Sequence, residues 1–285
     1  MEGAAGPAAD RGAAVNGPVI ALTSDFGRAD PYVAEMKAVI LAECARYPDA
    51  SGSPTLVDVS HEVPPGDVAA AAWLLARTAP RFPAGTIHLA VVDPGVGTDR
   101  PAVAAAARGQ VHVGPGNGLF RHLDTAGDLE VVRLDRPEYR LNGRAPSTTF
   151  HGRDIFAVAA AHLAMGVPPA QVGSSGTVID LGPRPKPEAI PEGALGRVVW
   201  IDRFGNAITD IAHDTALGVR LSDGAVLRLG EGRAAGPLPT YGAARRDELF
   251  WYWGSGDTLE LALRDAAAAT EWNWRPGMVL YEELP

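Results

Sequence analysis

The sequence predicts an α/β protein in two parts: an N-terminal α/β domain with a largely parallel sheet, and a C-terminal all-β domain of barrel-like type. Three observations carry this reading. Over residues 18–181 short apolar strands alternate with helix signals, the layout of βαβ units. Residues 182–193 then bring Pro183, Pro185, Pro187 and Pro191, a composition of extended, semi-rigid chain that opposes helix and central strand. Residues 194–285 offer only short runs of strand formers separated by Gly and Asp.

Taken in order, residues 1–17 hold almost no large apolar side chains and are expected to be a loose tail. An apolar strand at Val19 to Thr23 leads to a helix with Asp30 as N-cap and Pro31 in its first turn, on which Val33, Met36, Val39 and Ile40 recur at helical spacing. A second strand, Leu56 to Val59, precedes Asp67, which caps a helix from Val68 to about Thr78, and a third strand runs from Thr86 to Val92. Further strands are expected at Ala102 to Ala106, Gln110 to Val113 and Leu129 to Leu134, with a helix at Asp154 to Met165. Residues 18–181 form the first domain, 182–193 a linker and 194–285 the second domain. Its strands fall at Val198 to Asp202, Ala207 to Ile211, Ala225 to Leu229, Leu249 to Trp253, Thr258 to Leu263 and Met278 to Tyr281.

Composition narrows the function. With 34 acids against 25 bases and a net charge of -9, binding nucleic acid by phosphate neutralisation is not expected. Apolar stretches such as Val68 to Ala76 fall short of the ~20 residues of a membrane span. The lone Cys44 makes neither an internal disulfide nor a multi-cysteine zinc site, and no basic region precedes an apolar core at the N-terminus, so a cytoplasmic location is expected.

Candidate chemistry clusters where strands end. In a parallel α/β sheet, ligands bind beyond the carboxyl ends of the strands. The first strand ends in Ser24, Asp25, Phe26 and Gly27, with Asp30 at the next helix start, where a carboxylate can take a ribose diol or an ammonium. The third ends in Asp93, Pro94, Gly95, Val96 and Gly97, with Arg100 seven residues on, able to orient the Asp93 carboxylate. Thr149, Phe150, His151, Gly152, Arg153 and Asp154 place a histidine, as general base or orienting donor, before a helix that Asp154 would cap. His61, His88, His112 and His162 lie in or beside apolar stretches without metal-ligand spacing, so no metal site is expected. In the second domain Asp202, Arg203, Phe204, Gly205 and Asn206 form a corner in which an aromatic and an amide suit a purine's face and edge.

The stretches LTSDFGRADPYVAEMKAVI, VDVSHEVPPGDVAAAAWLL, FPAGTIHLAVVDPGVGTDR, TTFHGRDIFA, IDRFGNAITDI and GSGDTLELAL follow one another from Ile20 to about Arg264. Together they resemble the S-adenosyl-L-methionine hydroxide adenosyltransferases, hydrolytic relatives of the fluorinating and chlorinating enzymes. The resemblance implies hydrolysis of S-adenosyl-L-methionine to adenosine and L-methionine, with that molecule as substrate, no cofactor and no metal. It also implies a homotrimer whose sites lie between the N-terminal domain of one subunit and the C-terminal domain of the next. By motif position, Asp93, Arg100 and His151 are the catalytic set. Asp25 holds the ribose hydroxyls with Thr149 and Phe150 beside them, and Asp30 and Tyr32 meet the methionine end. Phe204, Asn206 and Ser255 contact adenine or methionine. Gly254 and Gly256 depart from the bulkier residues of some halogenating relatives. Those relatives also carry tyrosine and threonine where this chain has Asp93 and Val96. The alternatives are a halogenase and a non-catalytic sensor of the same molecule. Whether Asp93 or His151 takes the proton from water stays open at this stage.

Overall fold

The computed structural model describes residues 17–48, 52–175, 181, 191–222 and 224–283. The expected tail, but for Gly17, and the expected linker, but for its last three residues, lie outside them. The chain divides into two units, Met1–Pro185 and Lys186–Pro285.

The first unit runs β1 (Val19–Ser24), α1 (Tyr32–Cys44), β2 (Thr55–Ser60), α2 (Val68–Thr78), β3 (Ile87–Val91), β4 (Ala102–Ala107), β5 (Gln110–Pro115), β6 (Glu130–Arg133), a π-helical turn (Gly152–Phe156), α3 (Ala157–Ala164), α4 (Pro169–Val172) and β7 (Ser174–Ser175). The strand order is β2-β1-β3-β5-β4-β6-β7. β2, β1, β3 and β5 pair in parallel, whereas β4, β6 and β7 join by antiparallel ladders. The sheet is therefore mixed, with β4 and β5 forming a tight hairpin beside the parallel strands.

β1 and β3 are buried along their whole length, as strands covered on both faces must be. Their residues Ile20, Leu22, Leu89 and Val91 form one core with Met36 and Ile40 of α1 and Ala157, Ala160 and Ala161 of α3. α2 buries Ala70, Ala71 and Leu75 outside that core. Strand order reverses at β1, so right-handed crossovers place α1 and α2 on opposite faces and open a crevice beyond the carboxyl ends of β1 and β3.

Asp67 caps α2 as expected, accepting from the Ala70 N–H at 2.9 Å. Two other expected caps are not formed. Pro31 occupies the N-cap of α1 without a side-chain bond, which leaves Asp30 exposed ahead of the helix. Asp154 lies inside the π-helical turn and bonds elsewhere.

The second unit runs β8 (Ala194–Ile201), β9 (Ala207–Ala212), α5 (Ala216–Leu221), β10 (Ala225–Leu229), β11 (Gly232–Gly236), β12 (Leu249–Trp253), β13 (Thr258–Leu263), α6 (Ala268–Glu271) and β14 (Val279–Glu282). It closes as a barrel in the order β10-β11-β12-β13-β9-β8-β14, as the barrel-like expectation required. Its core joins Val198, Leu227, Leu229, Trp251, Leu259, Leu261 and Leu280.

In the first unit, His88 and His112 pair across β3 and β5 and stack at 4.6 Å, with His122 at 5.1 Å from His112. Burial pushes His88 and His122 down to about 4. These rings fold neutral, while the unfolded chain takes up protons near the ordinary histidine value of about 6.5. Stability present at neutral pH is therefore lost as pH falls from about 6.5 towards 4. Urea denaturation midpoints between pH 7.5 and 4.5 are expected to show this decline, and a His88→Phe, His122→Phe double variant to make it shallower, the remainder coming from the buried His112, which is also held well below the usual histidine range.

Candidate active site

The crevice at the carboxyl ends of β1 and β3 holds a cavity of about 310 Å³, lined among others by Asp25, Tyr32, Asp93, Thr149, Phe150 and His151. Six of the sequence-selected residues thus meet there. Arg100 stands directly behind Asp93, and Asp30 is exposed and does not line the cavity. Phe204, Asn206 and Ser255 belong to the second unit.

Asp93 follows β3 by two residues, and its position is fixed from two sides. The Asn117 amide donates to the Val92 carbonyl at 2.9 Å, clamping the backbone just before it. Arg100 grips the carboxylate with two N–H groups, Nε to Oδ1 at 2.9 Å and Nη2 to Oδ2. This is the bidentate geometry in which a guanidinium orients a carboxylate best. Both side chains are nearly buried, at 6% exposure for Asp93 and 10% for Arg100. The guanidinium also lies over the Phe156 ring at 5.2 Å.

The same Nη2 lies 2.8 Å from Nδ1 of His151. Arginine stays protonated and can only donate, so Nδ1 must offer its lone pair. That fixes His151 as the neutral tautomer with its proton on Nε2. Burial, and then the positive charge of Arg100, hold its pKa below the usual histidine range. His151 reaches Arg100 because Gly97 brings the β3–β4 loop against the segment before the π-helical turn. Gly97 sits at φ +78°, and a Cβ there would fall 2.5 Å from the Thr148 carbonyl oxygen.

On the other wall, Phe26, Tyr32 and Phe150 contact one another at ring separations of 5.2 to 5.7 Å. Arg153 caps Phe150 at 5.1 Å and is held by Asp154 and Glu35. Asp154 is pushed up by burial, but its bonds from Arg153 and the Ser147 N–H keep it below the usual carboxylate range. Asp154 thus braces the loop carrying Thr149 and Phe150. Asp25 accepts the Gly66 N–H on Oδ2 at 2.8 Å, which leaves Oδ1 for a ligand.

In the second unit, Asp202 organises the corner between β8 and β9. Its Oδ1 accepts from the N–H groups of Phe204 and Asn206 at 2.9 and 2.8 Å, and its Oδ2 from Asn206 Nδ2 at 2.9 Å. Phe204 is left 73% exposed, and the buried amide oxygen of Asn206 has no hydrogen-bond partner among the described residues. An exposed ring beside an unsatisfied acceptor is a place for a flat ligand that donates a hydrogen bond. Ser255 is exposed at the tip of the β12–β13 turn. Gly254 is required there, since the Glu260 carboxyl group fills the space of a side chain.

The sequence reading gave no role to Phe26, Asn117 or Gly97. Phe26 was adjacent to a chosen aspartate, and Asn117 lay in a Gly-rich run that resembles a weak phosphate loop. Among the described residues no group of three His, Cys, Asp or Glu side chains is placed to hold a metal.

Residues 20–173 match the SAM hydroxide adenosyltransferase N-terminal domain and residues 196–281 the C-terminal domain of the same family. A protein of Thermus thermophilus named (R)-S-adenosyl-L-methionine hydrolase is 44% identical over 262 residues, which cover 90% of this chain and 95% of the relative. A fluorinase of an Actinoplanes species is 31% identical over 229 residues, 70% of this chain and 73% of that one. The crystal structure of an uncharacterised conserved protein from Thermotoga maritima superposes with a TM-score of 0.79 at 32% identity, over 93% of this chain and all of that one.

The tautomer is directly measurable. A long-range proton–nitrogen NMR spectrum is expected to show His151 neutral with the proton on Nε2, titrating below the ordinary value of about 6.5. In Arg100→Met, the Nδ1 constraint is gone and a mixture of tautomers is expected.

Proposed function

The chain belongs to the SAM hydroxide adenosyltransferase family, and from that premise we propose that it hydrolyses S-adenosyl-L-methionine to adenosine and L-methionine by in-line attack of water on the ribose 5′ carbon. The observation that supports this most is the carboxylate of Asp93 lining the cavity, locked by Arg100 beside His151.

The sulfonium makes methionine a good leaving group, so neither a general acid nor a metal is needed to expel it. Water is the weak partner and has to be held in line with the carbon–sulfur bond, a positioning effect worth several kcal/mol. Asp93 keeps a lone pair on each oxygen after pairing with Arg100 and accepts a hydrogen bond from the water. His151, with Nδ1 occupied and Nε2 protonated, donates to the water oxygen. On this reading the proton goes to Asp93. Asp25 binds the ribose hydroxyls, with Thr149 and Phe150 beside them. Tyr32 serves the methionine end, and the rings of Phe26, Tyr32 and Phe150 favour the sulfonium cation. Phe204 covers adenine, Asn206 accepts from its exocyclic amine, and Ser255 completes the set.

A halide in place of water is opposed by the same carboxylate. At about 4 Å and an effective dielectric of 20 the repulsion is roughly 4 kcal/mol, close to a thousandfold in binding. A sensor would have no use for a locked Asp93, Arg100 and His151. The substrate is the only small-molecule partner in this reading, with no cofactor, nucleic acid or membrane. No helix among the described residues is long and apolar enough to cross a bilayer, and the cytoplasm is the proposed location. The assembly is a homotrimer in which the second unit of each subunit serves the cavity of a neighbour.

Incubation with S-adenosyl-L-methionine in the presence of EDTA, followed by chromatography, is expected to give equal adenosine and methionine; a requirement for a divalent ion would overturn the proposal. Asp93→Asn is expected to lower kcat by about 10² to 10⁴ with little change in KM. Mixing Asp93→Ala with Asn206→Ala protein under verified subunit exchange should restore part of the activity that each lacks, and no restoration would refute the shared site.

A further inference from the structure

A second chain of polar side chains reaches the cavity without lining it. Ser24, the last residue of β1, is fully buried, with its Oγ 2.7 Å from Nδ1 of the buried His61. His61 Nε2 lies 3.1 Å from Asp58 Oδ1, off the straight hydrogen-bond line, and Asp58 Oδ2 accepts from Lys37 Nζ at 2.7 Å. The carboxylate sets the proton order. Nε2 carries hydrogen towards Asp58, Nδ1 accepts from the Ser24 hydroxyl, and Ser24 Oγ accepts the Phe26 N–H at 3.4 Å.

The chain thus runs from a partly exposed lysine on α1 to the backbone on either side of Asp25. Main-chain bonds tie the same segment: Gly27 N–H to the His61 carbonyl at 2.7 Å and Val63 N–H to the Ser24 carbonyl at 3.4 Å. Lys37 is one of two lysines beside 23 arginines. A compact ammonium takes one oxygen of Asp58 and leaves the other for His61, whereas a guanidinium fork would compete for both.

A Ser–His–Asp order invites comparison with a nucleophilic triad. Ser24 has no exposed surface and does not line the cavity, so no substrate atom reaches its oxygen. We infer that Ser24, His61 and Asp58, anchored by Lys37, are positioning residues that hold Asp25 in the conformation that binds the ribose. The inference rests on the hydrolase reading above, in which Asp25 takes the ribose hydroxyls.

The test compares S-adenosyl-L-methionine with its 2′,3′-dideoxy analogue, using Ser24→Ala, His61→Ala and Lys37→Met, each alone and combined with Asp25→Ala. His61→Ala is expected to raise KM for the natural substrate about tenfold, or about 1.4 kcal/mol, while kcat changes less than about threefold. The rise should vanish with the analogue and in the Asp25→Ala background, because both lack the contact being positioned. Should His61→Ala fail to fold, Ser24→Ala removes a single oxygen and should show the same pattern, with Lys37→Met weaker. Equal losses on both substrates, or losses that add to Asp25→Ala, overturn the inference and leave the hydrolase reading intact. Wild-type protein that neither binds nor cleaves the substrate overturns both.

Discussion

The guanidinium of Arg100 is the interaction on which the corner of Asp93 and His151 depends. Its Nε and Nη2 hold Asp93, Nη2 also holds His151, and Nη1 donates to the Pro101 carbonyl at 3.2 Å. One planar cation therefore fixes the orientation of a carboxylate, the tautomer of an imidazole and the path of its own backbone. A lysine could do none of these together, since it lacks the flat fork. Because Asp93 and Arg100 are nearly buried, breaking either half would strand a charge with little water around it. The corner sits at the ends of two fully buried strands.

Much of this could be read from the sequence because the responsible signals are local. Continuous apolar runs marked β1 and β3, Asp67 announced α2, and carboxylates directly after strands pointed to the sheet edge. The rest depended on geometry without a local signal. The β4–β5 hairpin turns on Arg108 and Gly109, both at positive φ, and Arg-Gly is not among the pairs that advertise such a turn. β11 escaped because Gly232 to Gly236 contains no strand former. Asp154 has the look of a cap, yet the helix begins in a π turn, so its carboxylate is free to bond Ser147 and Arg153 instead. The tautomer of His151 depends on an arginine 51 residues away, beyond any spacing rule.

The two units solve their polar problems in different ways. In the first, charged groups are paired inside a crevice, and the aromatic rings stand in mutual contact around it. In the second, a single carboxylate, Asp202, satisfies three donors of one corner and so leaves the Phe204 ring and the Asn206 oxygen outside the internal network. An exposed ring beside an unsatisfied acceptor is the pattern expected where a ligand completes the structure.

The π-helical turn at Gly152–Phe156 has an evolutionary corollary. A π turn is equivalent to one residue inserted into an α-helix, and each residue of an α-helix turns the chain by about 100°. Deleting one residue here would give a regular helix with better backbone bonds, but it would rotate everything before it, His151 first, out of alignment with Arg100. Selection on such a segment tolerates side-chain replacement far more readily than a change of length. Length variation among descendants of this chain is therefore expected in the surface loops, and this turn should keep its residue count for as long as the activity is kept.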